Sequence, residues 1–150
     1  METNNQLTRF LEGQNQFYLK ALAEIKNGCK ESHWMWFIFP QLKGLGRSTT
    51  AEFYGINDLD EAEAYLLHPI LGKHLIEISE ILLTLGNKTA TQIFGTPDDL
   101  KLLSSMTLFS NAKNANPVFE QVIAKYFNGK PDERTLQLIL KNKFSDGIVR

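Results

Sequence analysis

HWMWFIFPQLKGLGRS, residues 33–48, is the stretch on which the reading of this chain turns. Its first eight residues hold a histidine, two tryptophans, two phenylalanines and a proline. A run this aromatic and partly β-branched, closed by Pro40, reads as a short strand or an extended buried connector. Side chains alternate along an extended segment, so Trp34 and Trp36 share one side and Met35 and Phe37 the other. One side then packs into the core, while the two indoles form a wall able to stack a nucleobase, a nicotinamide or a sugar face. Packing of the whole run into the core is the competing reading. His33 and Gln41 bracket it as polar ends that either fix a ligand or cap local backbone.

The tail of the stretch is a glycine-broken basic loop. Gly44 and Gly46, beside Lys43, Arg47 and Ser48, would let backbone amides approach a phosphate, with the next helix start adding attraction. The spacing is neither a Walker motif nor a dinucleotide fingerprint. An ordinary solvated loop has the same composition.

Outside this stretch the chain reads as helices. A broad apolar stripe over Gln6–Asn27 carries Phe10, Phe17 and Ala21, with Leu11, Tyr18, Leu22 and Ile25 alongside, and Gly28 stands at its C-terminal end. Gln14 lies within the stripe, either at its edge or hydrogen-bonded inside a pocket. A short helix after the loop holds Ala51, Phe53 and Tyr54. Asp58 and Glu61 open a helix to Leu67 as a capping pair. His68-Pro69 breaks it and starts a longer one through Leu71, Leu75, Ile78, Leu82 and Leu85 to Gly86. Thr96 and Pro97, then Asn116 and Pro117, start two more, and Pro131 with Asp132 opens the last. The tail from Lys141 reads as frayed.

Composition narrows the function. The chain has 150 residues, the size of one domain, with 43% hydrophobic and 22% charged residues and a formal net charge of −1. Bulk attraction to nucleic acid or anionic membrane is therefore not indicated. Cys29 is the single cysteine, which fits a reducing compartment. With His33, His68 and His74 it forms no metal-ligand spacing, so no metal is expected, and no cofactor either. METNNQLTRF lacks the apolar core of a signal peptide, and no apolar run approaches a membrane span. A cytoplasmic protein is expected.

A second stretch asks for an explanation: KLLSSMTLF, residues 101–109. Ser104, Ser105 and Thr107 put three hydroxyls into an otherwise apolar helix. Back-bonding to the preceding turn would satisfy them; alternatively they face a pocket, with Lys101 one turn earlier on the face of Ser104 and Ser105. His68, at a helix break, is open to a role as acid, base or structural bend residue.

Four segments, SHWMWFIFPQLKGLG, AEAYLLHPILGKHL, KLLSSMTLF and VFEQVIAKYFNGKPDERTL, together resemble the bacterial domain of unknown function numbered 1810, from about Arg9 to Leu138. That resemblance implies a mainly α single domain. Members have sometimes been labelled calpastatin, but this chain reads as a packed globule and not as an inhibitor of that disordered type. KLLSSMTLF with NPVFEQVI also resembles, more distantly, the NADAR proteins, named for their association with NAD and ADP-ribose. There a lysine and a methionine precede a phenylalanine and an NP helix start, and some members remove ADP-ribose from modified guanine. The resemblance implies that Lys101, Met106 and the aromatic segment line a pocket. It carries a ligand class and not a mechanism.

The expectation is a mainly α, compact single domain of six or seven helices with at most one or two short strands, its ordered core at about 6–140. Its expected ligand is a nucleotide or ADP-ribose-like molecule. Trp34 and Trp36 would stack, and Lys43, Arg47 and Ser48 would meet phosphate. Gln41, Gly44, Gly46, Tyr54, His68, Ser105 and Met106 complete the lining. Lys101, His33 and Ser104 are the candidate catalytic groups. An N-glycosidase would add a carboxylate to stabilise positive charge on the ribose, with Glu31 and Glu52 nearest in sequence. The alternative is a non-catalytic interaction or homo-oligomerisation module; enzyme and module both stay open.

Overall fold

Helix α1, Glu2–Lys26, sets the frame. Leu7, Phe10, Gln14, Tyr18, Ala21 and Ile25 recur every three or four residues, and all are buried. A side chain added at that spacing always falls on the same face, so one continuous stripe meets the rest of the molecule. Gly28 closes the helix with φ +75°, a left-handed position that costs glycine little, and its N–H reaches Ile25 O at 2.8 Å. The computed structural model describes residues 2–143, with side chains from residue 6 onward.

Eight further helices follow among the described residues: α2 Met35–Ile38, α3 Thr49–Tyr54, α4 Leu59–Leu67, α5 Leu71–Thr84, α6 Ala90–Phe94, α7 Asp98–Ser110, α8 Val118–Phe127 and α9 Glu133–Lys143. Helix α1 packs on α2, α4 and α5, while α7 packs on α4, α6, α8 and α9. Four buried rings join the two groups. Phe10 meets Tyr65 at 5.2 Å, Tyr65 meets Phe109 at 5.3 Å, and Phe109 meets Phe119 at 5.9 Å between centroids. Full burial of each large side chain stabilises the fold by roughly 1.5–3 kcal/mol, so this chain of rings is a main cohesive element. None of the described helices is long and apolar enough to cross a membrane.

The mainly α class holds, but the helix count is nine among the described residues, not six or seven. The two additional helices are short. The run expected to be extended forms the single turn α2, with Ile38 N donating to Trp34 O at 3.2 Å and Phe39 N to Met35 O at 3.0 Å. A lone extended segment would leave its buried N–H and C=O groups without a partner strand. Pairing of that kind is confined to one isolated bridge among the described residues, Leu42 with Ile56. A helical turn satisfies its backbone internally and spreads Met35, Phe37 and Ile38 over several buried directions. Helix α2 lies close on α1 because Gly13 gives it room: a β-carbon there would stand 2.6 Å from Phe37 Cγ.

Three side chains expected at helix starts accept a backbone N–H there, although α8 itself begins at Val118 with Pro117 as its cap, one residue later than expected. Asp58 Oδ1 accepts from Glu61 N at 2.9 Å, Asn116 Oδ1 from Val118 N at 2.8 Å, and Asp132 Oδ2 from Thr135 N at 3.0 Å. Thr96 departs from expectation. Helix α7 begins at Asp98, and the Thr96 hydroxyl donates to the buried Asp99 carboxylate at 3.3 Å, as does Thr91 at 2.6 Å. At the other end, α9 continues through residues 141–143, where fraying was expected. The remainder of that tail, 144–150, lies outside the described residues.

Candidate functional site

One carboxylate shapes the loop between α1 and α2. Glu24 Oε1 accepts from Glu31 N at 2.8 Å, Ser32 N at 3.1 Å and Trp34 Nε1 at 2.8 Å, while Oε2 accepts from Ser32 Oγ at 2.6 Å. Burial alone would raise its pKa, but these four hydrogen bonds to the ionised form outweigh it and hold the group at about 2. The loop is thereby folded back on α1, and Trp34 is delivered into the core with no exposed surface.

Two lysines then gather around one aspartate. Lys30 Nζ lies 4.9 Å from the Trp34 ring centre, donates to Ser32 O at 2.5 Å and pairs with Asp98 at 2.8 Å. Asp98, in the first turn of α7, also faces Lys101 at 3.5 Å. Lys101 Nζ stands 5.2 Å from the centre of the half-buried Trp36 ring. The lysine side chains differ in accessibility: that of Lys30 is 7% exposed and that of Lys101 is 25% exposed. Lys30 is a structural cation. Lys101 has the longer ion pair and keeps surface available to an incoming anion.

The stretch at 33–48 and KLLSSMTLF therefore meet, through Trp36 and Lys101. The indoles do not form the shared wall expected of an extended run. In a helical turn, positions two apart point nearly opposite ways, so Trp34 turns inward and Trp36 toward Lys101. Ser104 is directed elsewhere: its hydroxyl donates to Leu100 O at 3.2 Å and Asp132 at 3.3 Å, joining α7 to the start of α9. Met106 is core, with its sulfur 3.8 Å from Ser79 Oγ. Ser105 is fully buried, and its hydroxyl has no partner among the described residues.

The remaining candidates sit apart from that meeting point or have other partners. His33 is exposed, and so is Arg47. Gln41 is half-buried, its carbonyl accepting from Ile56 N at 2.8 Å. Lys43 lines a different depression of about 440 Å3, with Arg9, Phe53 and Asn57. Gly44 is nearest Leu138 of α9, and Gly46 lies against Ala51. Tyr54 packs against Phe10, Phe37 and Phe53. His68 Nδ1 accepts from Ile70 N at 3.1 Å and Leu71 N at 3.3 Å, which starts α5. Ser48 Oγ accepts from Ala51 N at 3.0 Å and caps α3. Ser48→Ala is accordingly expected to lower stability by about 1 kcal/mol, read as a shift in denaturation midpoint.

Lys30, Glu24 and Asp98 were not among the residues singled out for chemistry. The spacing of Asp98 to Lys101, three apart at a helix start, was the available signal. Lys30 left none, because its partner comes from a distant part of the chain. No group of three or more His, Cys, Asp or Glu side chains able to hold a metal occurs among the described residues.

Comparison with known proteins agrees with this architecture. Residues 4–139 match the family model described as "Protein of unknown function (DUF1810)". Among solved structures, the crystal structure of the conserved hypothetical protein Rv1873 from Mycobacterium tuberculosis is similar, with a TM-score of 0.88 and 47% sequence identity. The alignment covers 89% of this chain and 96% of that one. No curated protein matches the sequence. With nine-tenths of its length matched in sequence and in fold, the chain belongs to the DUF1810 family.

Proposed function

We propose that the Trp36–Lys101 face binds a phosphorylated nucleotide or ADP-ribose-like ligand. One observation carries this reading: the partly exposed Lys101 ammonium lies over the half-buried Trp36 indole, 5.2 Å from the ring centre. An aromatic face next to a cation suits a base linked to phosphate. Asp98 is already committed to Lys30 at 2.8 Å, so Lys101 can exchange its weaker contact for a phosphate. The resemblance read between KLLSSMTLF with NPVFEQVI and the NADAR proteins suggests the same ligand class from sequence alone.

In its catalytic form the reading is hydrolysis of an N-glycosidic bond. Asp98 Oδ1, which Lys101 vacates when it turns to a phosphate, would stabilise positive charge on the ribose as its bond to the base breaks; water adds its oxygen to the ribose and its proton goes to the departing base. Asp98 replaces Glu31 and Glu52 as the nearest acidic group to the candidate lysine.

Thermal-shift and calorimetric titrations with ADP-ribose, NAD and AMP test the proposal. Saturable binding is expected, weakened roughly ten- to a hundredfold by Lys101→Ala, the loss of a hydrogen bond to a charged group. Folding should be little affected, since a partly exposed ion pair as long as 3.5 Å contributes about 1 kcal/mol. Absence of binding by all three ligands, or full affinity in Lys101→Ala, would remove the proposal. A second reading, a docking module, rests on Leu67, 84% exposed beside a depression of about 420 Å3 where Leu66, Ile76 and Phe119 are rimmed by Glu63 and Lys113. It predicts concentration-dependent self-association, measurable by sedimentation, that Leu67→Ser abolishes.

A further inference from the structure

Gln14 is a polar side chain on the apolar stripe of α1, and it is 3% exposed. Its amide nitrogen donates to Phe37 O and to Tyr65 Oη, both at 2.8 Å. A carbonyl can only accept, so the Phe37 contact fixes which end of the amide is nitrogen. The Gln14 oxygen is then the atom that meets His74 Nδ1 at 2.7 Å. An amide oxygen also only accepts, so the imidazole proton resides on Nδ1. Nε2 is left with its lone pair, and nothing among the described residues is hydrogen-bonded to it.

The ring cannot turn away from this arrangement. It is stacked on Tyr18 at 3.6 Å with an interplanar angle of 7°. The Tyr18 hydroxyl donates to Glu77 Oε1 at 2.5 Å and to His74 O at 3.2 Å, which holds the stacking partner in place. Burial lowers the His74 pKa; Glu77 opposes that effect and Lys73 adds to it, and the ring is neutral at physiological pH. A buried amide fixing one nitrogen of a clamped, neutral imidazole is the arrangement that prepares the other nitrogen for a ligand.

That imidazole lines a cavity of about 340 Å3 between α1 and α5, with Leu11, Glu12, Gln14, Asn15 and Ile70. Both N–H donors of Gln14 are used inside the protein and its oxygen meets His74, so its main part is to hold the imidazole. The groups left to a ligand are two acceptors, His74 Nε2 and the exposed Glu12 carboxylate, and the exposed Asn15 amide, which both donates and accepts. Leu11 and the 48% exposed Ile70 give an apolar wall. One imidazole and one carboxylate fall short of the three protein ligands of a typical zinc site. An anion would face both a carboxylate and a lone pair.

We propose that this cavity is a second ligand site, separate from Trp36 and Lys101, and that it binds a small primary ammonium ion. One N–H would reach His74 Nε2 and another the Glu12 carboxylate, with a short alkyl body against Leu11 and Ile70. The proposal does not rest on the nucleotide reading.

Nitrogen-15 NMR of the imidazoles in the full chain, titrated with n-butylammonium chloride, tests it. Matched sodium chloride and n-butanol are the controls. Before titration, His74 should show an unprotonated Nε2. The ammonium should shift that resonance saturably, and Glu12→Gln should weaken binding about fivefold, the equivalent of roughly 1 kcal/mol. Glu12 is exposed, so this variant should melt as the parent does. An Nε2-protonated ring, an equal response to n-butanol, or an unchanged affinity in Glu12→Gln would each overturn the proposal.

Discussion

Gly72→Ala is expected to destabilise the protein by about 3 kcal/mol or more, the upper end of what overpacking costs. The direction is the test, because glycine to alanine inside an ordinary exposed helix gains about 1 kcal/mol. Gly72 lies in the first turn of α5, where a β-carbon would stand 2.0 Å from Leu66 O and 2.8 Å from Leu66 C. Both atoms belong to the backbone of α4, so no rotamer change can relieve the contact. The approach is imposed by the corner between the two helices. His68 N donates back to Ala64 O at 3.1 Å, ending α4, while His68 Nδ1 and O accept from Ile70, Leu71 and Gly72 to start α5. The first turn of α5 therefore rests directly on the last turn of α4. Chemical denaturation of the variant checks this, and a midpoint equal to or above that of the parent would show that the corner opens without penalty.

The same corner shows what the sequence made legible. His68-Pro69 marked the bend because a residue before proline avoids the helical region. The long periodic faces were equally plain: Phe10, Tyr18, Ala21 and Ile25 on α1, and Leu71, Leu75, Ile78 and Leu82 on α5, all buried as their spacing implied. Helices α2 and α6 were not legible from periodicity, since four or five residues make barely one turn and cannot display a period. Helix α6 did carry another signal, the capping box between Thr89 and Gln92. Helix α2 carried none, and its aromatic composition argued for an extended run.

Of the site, the pieces were legible and their assembly was not. Trp36 and Lys101 each drew attention through composition, but the contact between them is set by how α1, α2 and α7 pack. Ser104 and Lys101 looked like neighbours on one helix face, yet Asp132, arriving from the start of α9, draws Ser104 to its own side. Lys30 and Asp98 form an ion pair between distant segments, which leaves no spacing to read. The His74 site shows the same limit from the other direction. Gln14 stood out as a polar residue within an apolar stripe, but its partners come from α2, α4 and α5.

Glu24→Ala is expected to cost about 3 kcal/mol, because four donors lose a charged acceptor and Trp34 Nε1 is left buried without a partner. The effect should extend beyond stability. Glu24 fixes Ser32 and Trp34, Trp34 lies under Lys30, and Lys30 holds Asp98 beside Lys101. Loosening the loop should therefore also weaken any anion binding at Lys101. Acid dependence separates the charge from the bulk. Hydrogen bonding holds the Glu24 carboxyl at about 2 in the folded chain against an ordinary 4.5. A carboxyl lowered by folding contributes stability that is complete above the ordinary value and is lost as pH falls from about 5 through about 2. Allowing for solvent screening, this contribution is roughly 1–2 kcal/mol. Glu24→Gln keeps the shape and one acceptor oxygen but cannot titrate, so its stability should lack that acid-dependent component while remaining above that of Glu24→Ala at neutral pH. Parallel loss of stability below pH 5 in the parent and in Glu24→Gln, measured by denaturant titration, would place the acid sensitivity in other carboxylates and leave Glu24 as a neutral brace.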